Sequence, residues 1–105
     1  MPTYKAKRPT RAPIHPGALL RREALPALKL SISQAARDLG VTRQFLHRLL
    51  NEQVPVSAEM ALKIGRLCGN GPELWLNMQS AYDLWHAKKR LGAEIDSVPE
   101  RHKAA

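Results

Sequence analysis

SISQAARDLGVTRQFLHRLLN, residues 31–51, is the stretch that decides the fold of this chain. Ser31 and Gln34 form a Ser-x-x-Gln capping box, which marks the start of a short helix. Gly40 fits the left-handed position that ends a helix, because glycine has no Cβ to clash there. Thr42 is a second N-cap residue and opens another short helix. The stretch therefore predicts two helices joined by a tight turn.

Small and apolar residues in the same stretch would let the two helices cross closely. Ala36 precedes Gly40 by one helical turn, and Val41 follows the glycine directly. Leu46 and Leu49 come later, at positions suited to seal the contact between the helices. This packing pattern does not depend on any polar residue, and it is typical of a helix-turn-helix.

The helix after Thr42 divides into an apolar side and a polar side at about 100° per residue. Leu46, Leu49 and Leu50 gather on the side expected to face the core. Phe45 lies on the border, where it either packs under the turn or touches a thymine methyl group. A polar helix face is often merely solvated, but the packing pattern around Gly40 favours DNA binding.

The polar side of this helix carries the side chains predicted to contact DNA. Arg43 and Gln44 are predicted to read bases, because arginine pairs bidentately with guanine and glutamine with adenine in the major groove. Both lie in the first turn, which a helix-turn-helix usually directs at base edges. His47 follows one turn later as a further base contact. The residues predicted to position the helix on phosphates are Thr42, Arg48 and Asn51.

Composition supports a nucleic-acid partner. The 105 residues carry a formal net charge of +8, with 17 Lys and Arg against 9 Asp and Glu. Such a balance favours a polyanion. A single cysteine, Cys68, excludes an internal disulfide and is consistent with a reducing cytoplasm. No apolar run approaches the roughly 20 residues of a membrane span, and residues 1–8 do not resemble a secretory signal. We expect a cytoplasmic protein with no membrane contact.

The chain divides into three parts. Residues 1–14 contain four basic residues, three prolines and no acidic residue, which indicates a flexible basic arm. This arm either lies along phosphates or is a solvated tail. Residues 15–90 are predicted to form one all-α, five-helix, repressor-like helix-turn-helix domain, and residues 91–105 a polar, disordered tail. The five helices are predicted from Pro16 to near Pro26, over 32–39, from 43 to about 50, over 58–68, and from Pro72 to about Arg90.

The last long helix presents two kinds of apolar residue. One broad stripe is expected to pack against the core. Leu76 and Leu84 fall outside that stripe. They are either ordinary exposed leucines or a homodimer contact, since a helix-turn-helix protein that reads a two-fold operator needs a dimer. The stripe consists of Leu74, Trp75, Met78, Ala81, Tyr82 and Trp85.

No residue pattern indicates catalysis or a metal. The histidines at 15, 47, 86 and 102 are scattered, without zinc-ligand spacing. The chain has no glycine-rich phosphate loop and no plausible Ser/His/Asp grouping. We predict no metal, no cofactor and no enzymatic activity. His15 is expected to shape the start of the first helix.

Four short motifs carry a resemblance to a known family: His15-Pro16-Gly17 with Leu20-Arg21, Leu39 to Gln44, Ala61-Leu62-Lys63-Ile64, and Pro72 to Gln79. On these motifs, residues 15–88 resemble the HigA group of antitoxins, within the phage-repressor-like helix-turn-helix family. Glu52 stands where many members carry glycine, so an altered turn is expected after the second helix of the pair.

The resemblance implies a sequence-specific repressor of its own promoter. It also implies that the protein binds and neutralises a ribosome-dependent, mRNA-cleaving toxin that is usually encoded beside it. One alternative is a stand-alone helix-turn-helix regulator without a toxin partner. Another is a scaffold whose helix-turn-helix contacts proteins, which the basic polar face disfavours.

Overall fold

The computed structural model describes residues 11–101, and within this range the regular structure is entirely helical. Most of the predicted basic arm and the last four residues lie outside the described residues. No helix in the described range has the length and apolar character needed to cross a membrane. The elements are α1 (Pro16–Leu19), a π-helical turn (Leu20–Ala24), α2 (Leu25–Leu28), α3 (Ile32–Leu39), α4 (Arg43–Leu50), α5 (Ala58–Cys68), α6 (Pro72–Leu91) and a 3-10 helix (Gly92–Ser97).

The first three elements form one continuous helix, so the predicted all-α fold with five main helices is confirmed. This first helix continues through Pro26, the predicted end, and stops two residues later at Leu28. Proline lacks an N–H and its ring clashes with the carbonyl four residues earlier in an ordinary helix. Here the turn before Pro26 is π-helical, with the Leu25 N–H bonded to the Leu20 carbonyl, and the wider turn accommodates the ring.

Short hydroxyl side chains set the starts of the later helices, as the sequence predicted. The Ser31 hydroxyl accepts from the Gln34 N–H at 3.1 Å, and the Thr42 hydroxyl from the Phe45 N–H at 3.0 Å. Gly40 adopts φ 70° and donates its N–H to carbonyls at the end of α3. The turn between α3 and α4 is therefore the predicted one.

A single apolar core holds α4 in place. Leu46 and Leu49 are fully buried, and Ala36, at 2% exposure, lies in the same cluster where α3 and α4 pack together. The first helix packs on the other side of α4, where Gly17 lies against the backbone carbonyl of Leu49. Because both neighbours are rigid helices, α4 has a fixed orientation in the molecule.

The core-facing stripe predicted on α6 is narrower than expected. Trp75 is 1% exposed, and Met78, Tyr82 and Trp85 are partly buried, but Leu74 and Ala81 are exposed. Their assignment to the core was wrong. At 20 residues, α6 is longer than any other helix in the described chain, so only part of one face meets the core.

Gln79 occupies a buried position on α6 that the sequence pattern did not identify. Its Oε1 accepts the Val56 N–H at 2.8 Å, and its Nε2 donates to Asp83 Oδ1 at 2.9 Å. Both ends of the amide are paired, so burying it costs little. This bond fixes the loop between α4 and α5 to α6.

The tail predicted to be disordered has regular structure in its first part. The 3-10 helix Gly92–Ser97 follows α6, and the Ser97 hydroxyl donates to the Glu94 carbonyl at 2.7 Å. The Val98 N–H donates to the Ile95 carbonyl at 3.1 Å. Hydrophobic periodicity does not reveal local hydrogen bonds of this kind, so the sequence pattern did not predict this short helix.

Candidate nucleic-acid interface

One face of α4 is exposed along its whole length. The side chains of Leu46, Leu49 and Leu50 on the reverse face are 4% exposed or less. This division anchors the helix by its leucines and leaves the polar arc open to a ligand. The exposed residues that share the arc or flank it are Thr42, Arg43, Gln44, His47, Arg48 and Asn51.

The two residues at the ends of α4 have structural roles of their own. The Thr42 hydroxyl already accepts the Phe45 N–H, which leaves its O–H free to donate outward. Asn51 is the C-cap, and its N–H donates to the His47 carbonyl. Phe45 is partly buried and packs against the core cluster. This favours packing under the turn over contact with a thymine methyl group.

A hydrogen-bonded triad lies on the exposed face of α3. Gln34 Nε2 donates to Asp38 Oδ1 at 2.6 Å, while Arg37 Nη2 donates to Gln34 Oε1 at 2.7 Å. The side-chain half of the predicted capping box was therefore wrong, because the Gln34 amide bonds to these neighbours instead. Its backbone N–H alone serves the cap. Arg37 is held by an amide oxygen and keeps its charge available to an anion.

Arg21 connects the first helix to the end of α4. Its guanidinium donates to the Leu50 carbonyl, and Nη2 lies 3.8 Å from Glu52 Oε2. Glu52 adopts φ 64°, a left-handed conformation that favours glycine. This explains why glycine suits the position. The sequence places Arg21 in a family motif but gives no sign of this contact, which joins residues 29 positions apart.

His15 fixes three segments behind α4. Its Nδ1 accepts the Gly17 N–H at 2.9 Å, which confirms its role at the start of the first helix. Its ring meets Tyr82 of α6 edge-on, with centroids 4.8 Å apart. Burial lowers the pKa of His15 below its ordinary value, while Glu52, Asp83 and a backbone hydrogen bond to Val54 partly oppose this shift. The neutral ring suits the arrangement, because a protonated Nδ1 could not accept from Gly17.

Leu76 and Leu84 lie on α6, and both are exposed as predicted. Leu76 is 38% exposed and Leu84 69%. Leu84 lines a cavity of about 190 Å³ together with Pro13, Ala81, Trp85 and Lys88. The surface around Leu84 is therefore apolar beyond a single side chain.

Known proteins share both the sequence pattern and the arrangement of helices. A helix-turn-helix family model, HTH_3, matches residues 20–76. Antitoxin HigA-1 of Vibrio cholerae serotype O1 is 35% identical over 88 residues, which are 84% of this chain and 83% of that protein.

Two solved structures superpose over most of this chain. The antitoxin HigA of Pseudomonas aeruginosa, solved with the higBA promoter, is 35% identical with a TM-score of 0.77, covering 87% of this chain and 99% of its own. The antitoxin GraA in complex with its operator is 39% identical with a TM-score of 0.79, covering 95% of this chain and 100% of its own.

Proposed function

This chain belongs to the HTH_3 helix-turn-helix family and, within it, to the HigA antitoxins, and from that premise we propose that it represses its own promoter by binding operator DNA through α4. The observation that carries the proposal is the exposed polar arc of α4, which is held by buried leucines on the reverse face. A helix anchored in this way can enter a major groove without rearrangement. The net charge of +8 adds a general attraction to the duplex.

We assign base recognition to the first two turns of α4. Arg43 and Gln44 are exposed in the first turn, where bidentate contacts to guanine and adenine are geometrically available. His47 is exposed one turn later and serves as a further base contact.

Positioning on the phosphates falls to residues at the edges of the arc. Thr42, Arg48 and Asn51 are exposed beside the proposed base contacts. Arg37 on α3 joins this set, because Gln34 orients its guanidinium without neutralising it. Phosphate contacts of this kind fix the register of the helix but carry no sequence information.

We further propose that the protein binds its operator as a homodimer through Leu76 and Leu84 of α6. Both leucines are exposed, and Leu84 lies in an apolar surface that includes Trp85. A two-fold operator requires two recognition helices, and α6 offers an apolar surface outside the DNA-binding arc.

The antitoxin activity completes the proposal: the protein binds and neutralises an mRNA-cleaving toxin encoded beside it. Membership of the HigA group supports this partner. A stand-alone regulator without a toxin is the alternative, and co-purification with the product of the neighbouring gene separates the two. As a DNA-binding antitoxin the protein would act in the cytoplasm and have no enzymatic activity of its own.

The direct test is fluorescence anisotropy of the full-length protein with a labelled duplex from upstream of its own gene. A scrambled duplex of the same composition measures nonspecific binding. We expect specific binding that R43A and Q44A weaken. Arg90→Ala, at an exposed basic position near the end of α6, is the control and should leave that binding intact. Equal affinity for the two duplexes would contradict the proposed repressor function.

A further inference from the structure

A groove between α3 and α5 takes no part in the proposed contacts with DNA. It has a volume of about 340 Å³ and an apolar floor with two cations beside it. Leu62 in this floor is 62% exposed, although the same helix buries Met60 and Ala61 in the core. Such a groove fits an apolar side chain flanked by carboxylates. Its lining residues are Asp38, Leu62, Lys63, Arg66 and Leu67.

The two cations of the groove are not neutralised within the described part of the chain. Lys63 and Arg66 form no ion pair there, since the ion pair found in residues 11–101 is that of Arg21 with Glu52. The carboxylate of Asp38, which accepts from the Gln34 amide at 2.6 Å, adds one negative charge to the lining, against two positive charges. The groove therefore keeps a local positive charge.

The segment after α6, residues 92–100, has the complementary character, and we refer to it as the acidic segment. It holds three of the chain's nine acidic residues, and two of them, Glu94 and Asp96, lie in the 3-10 helix. Ile95 is 41% exposed and Val98 70%. Ile95 and Val98 line one cavity together with Asp96, so the two apolar side chains lie close to each other with a carboxylate beside them.

The groove and the acidic segment of one molecule lie at opposite ends of α6. Arg66 and Leu67 are near the end of α5, and α6 begins after a short turn at Gly69–Gly71. The acidic segment starts at the far end of α6, whose 20 residues span about 30 Å. The acidic segment therefore does not reach the groove of its own chain. A segment of this kind can occupy the groove only if it comes from another molecule.

We propose that the groove between α3 and α5 binds the acidic segment of a second copy of this chain. Val98 packs beside Leu62. The carboxylates of Glu94 and Asp96 face the two cations of the groove. Because the two contacting surfaces differ, the contact is head-to-tail and distinct from the two-fold contact proposed on α6. It goes beyond the proposed function, since it would link repressors bound at neighbouring sites on one DNA molecule.

The contact is expected to be weak in free solution, since exposed charges are screened by salt. Binding to adjacent sites on DNA would raise the effective concentration of one copy near another. The contact should therefore be most visible at low ionic strength or on a long promoter fragment.

Two charge-reversal variants, measured singly and mixed, test this contact. Analytical ultracentrifugation of the full-length protein at low salt, alone and on its own promoter DNA, measures association beyond the dimer. One variant reverses the groove (K63E with R66E), and the other reverses the segment (E94K with D96K). Each alone should weaken association beyond the dimer at least about tenfold. An equimolar mixture should regain it, because the acidic groove of one variant meets the basic segment of the other. Glu23→Lys, on an exposed position of the first helix, is the control and should associate like the unmodified protein.

Rescue by mixing cannot arise from a variant that merely misfolds, and circular dichroism checks the fold of each variant. Absence of any association beyond the dimer in the unmodified protein, alone and on DNA, would overturn the proposal. So would reversal variants that associate normally, or a mixture no better than its components. Affinity for a short duplex with a single operator is measured in parallel. Failure of the unmodified protein to bind that duplex would count against the proposed repressor function, whereas loss of the head-to-tail contact alone leaves its binding to a single operator intact.

Discussion

Gly17 lies so close to Leu49 that a Cβ on the glycine would stand 2.0 Å from the Leu49 carbonyl oxygen. This close approach joins the first helix to the inner side of α4. The obstacle is backbone within a helix, not the movable end of a side chain. Glycine at position 17 thus sets the distance between the helix that presents the polar arc and the helix behind it.

Replacing this glycine should destabilise the fold. We expect Gly17→Ala to lower the free energy of unfolding by about 2–3 kcal/mol, since overpacking against fixed neighbours forces a backbone shift. Urea denaturation followed by circular dichroism measures the change. Gly69→Ala is the matched control. Its Cβ would meet no atom within 4 Å, so the only cost there is the strain of an alanine at φ 75°. A loss for Gly17→Ala no larger than the control's would contradict the close packing.

Arg43 is predicted to specify a base and not merely to attract the duplex. Arg43→Ala should cost about 1–3 kcal/mol on the operator and relax the preference at one base pair. Anisotropy titrations against a set of single-base operator variants measure both effects. Equal weakening on every sequence would instead make Arg43 a phosphate contact.

The basic arm is predicted to add a sequence-independent, salt-sensitive attraction to DNA. Deletion of residues 1–12, which hold Lys5, Lys7, Arg8 and Arg11, removes charges that would release counterions on binding. The slope of log affinity against log salt concentration should then become shallower. An unchanged slope would leave the arm as a solvated tail.

The fold was predictable from sequence wherever local chemistry decides it. Ser31, Gly40 and Thr42 set helix ends through their own side chains or lack of one, and the structure places those ends as predicted. The passage of the first helix through Pro26 was not predictable, because it depends on a π turn with no sequence signature. The division of α6 into buried Trp75 and exposed Leu74 depends on where the core ends, which is a property of the whole fold.

The candidate site was also predictable only in part. The arc of α4 follows from helical periodicity and was fully visible in the sequence. The supports behind it were not, because they join residues distant in the chain. Arg21 bonds to the Leu50 carbonyl across 29 positions, and Gln79 to the Val56 N–H across 23. No periodic pattern relates such pairs.

Arg21 should therefore stabilise the end of α4. Arg21→Met keeps much of the apolar stem but leaves the Leu50 carbonyl without this donor, so we expect a loss of about 1 kcal/mol, discounted for the exposure of the side chain. Arg22→Met, at the exposed neighbouring position, is the control and should change stability little. Thermal unfolding of both variants decides the matter, and equal melting temperatures would contradict a specific role for Arg21.

His15 should make the stability of the fold depend on pH. Its pKa in the folded state lies below the ordinary value of 6.5, chiefly because of burial. The folded protein therefore favours the neutral ring, and this contribution is fully present above pH 6.5 and is lost as the pH falls from there through the lowered pKa. His15→Asn keeps an acceptor for the Gly17 N–H but does not titrate. Urea denaturation at pH 7.5 and pH 5 should show a smaller decline for this variant than for the unmodified protein, since carboxylate titration is common to both. An equal decline would mean that protonation of His15 does not weaken the fold. The smaller decline expected for the variant would show that one buried histidine couples acidity to the support of the recognition helix.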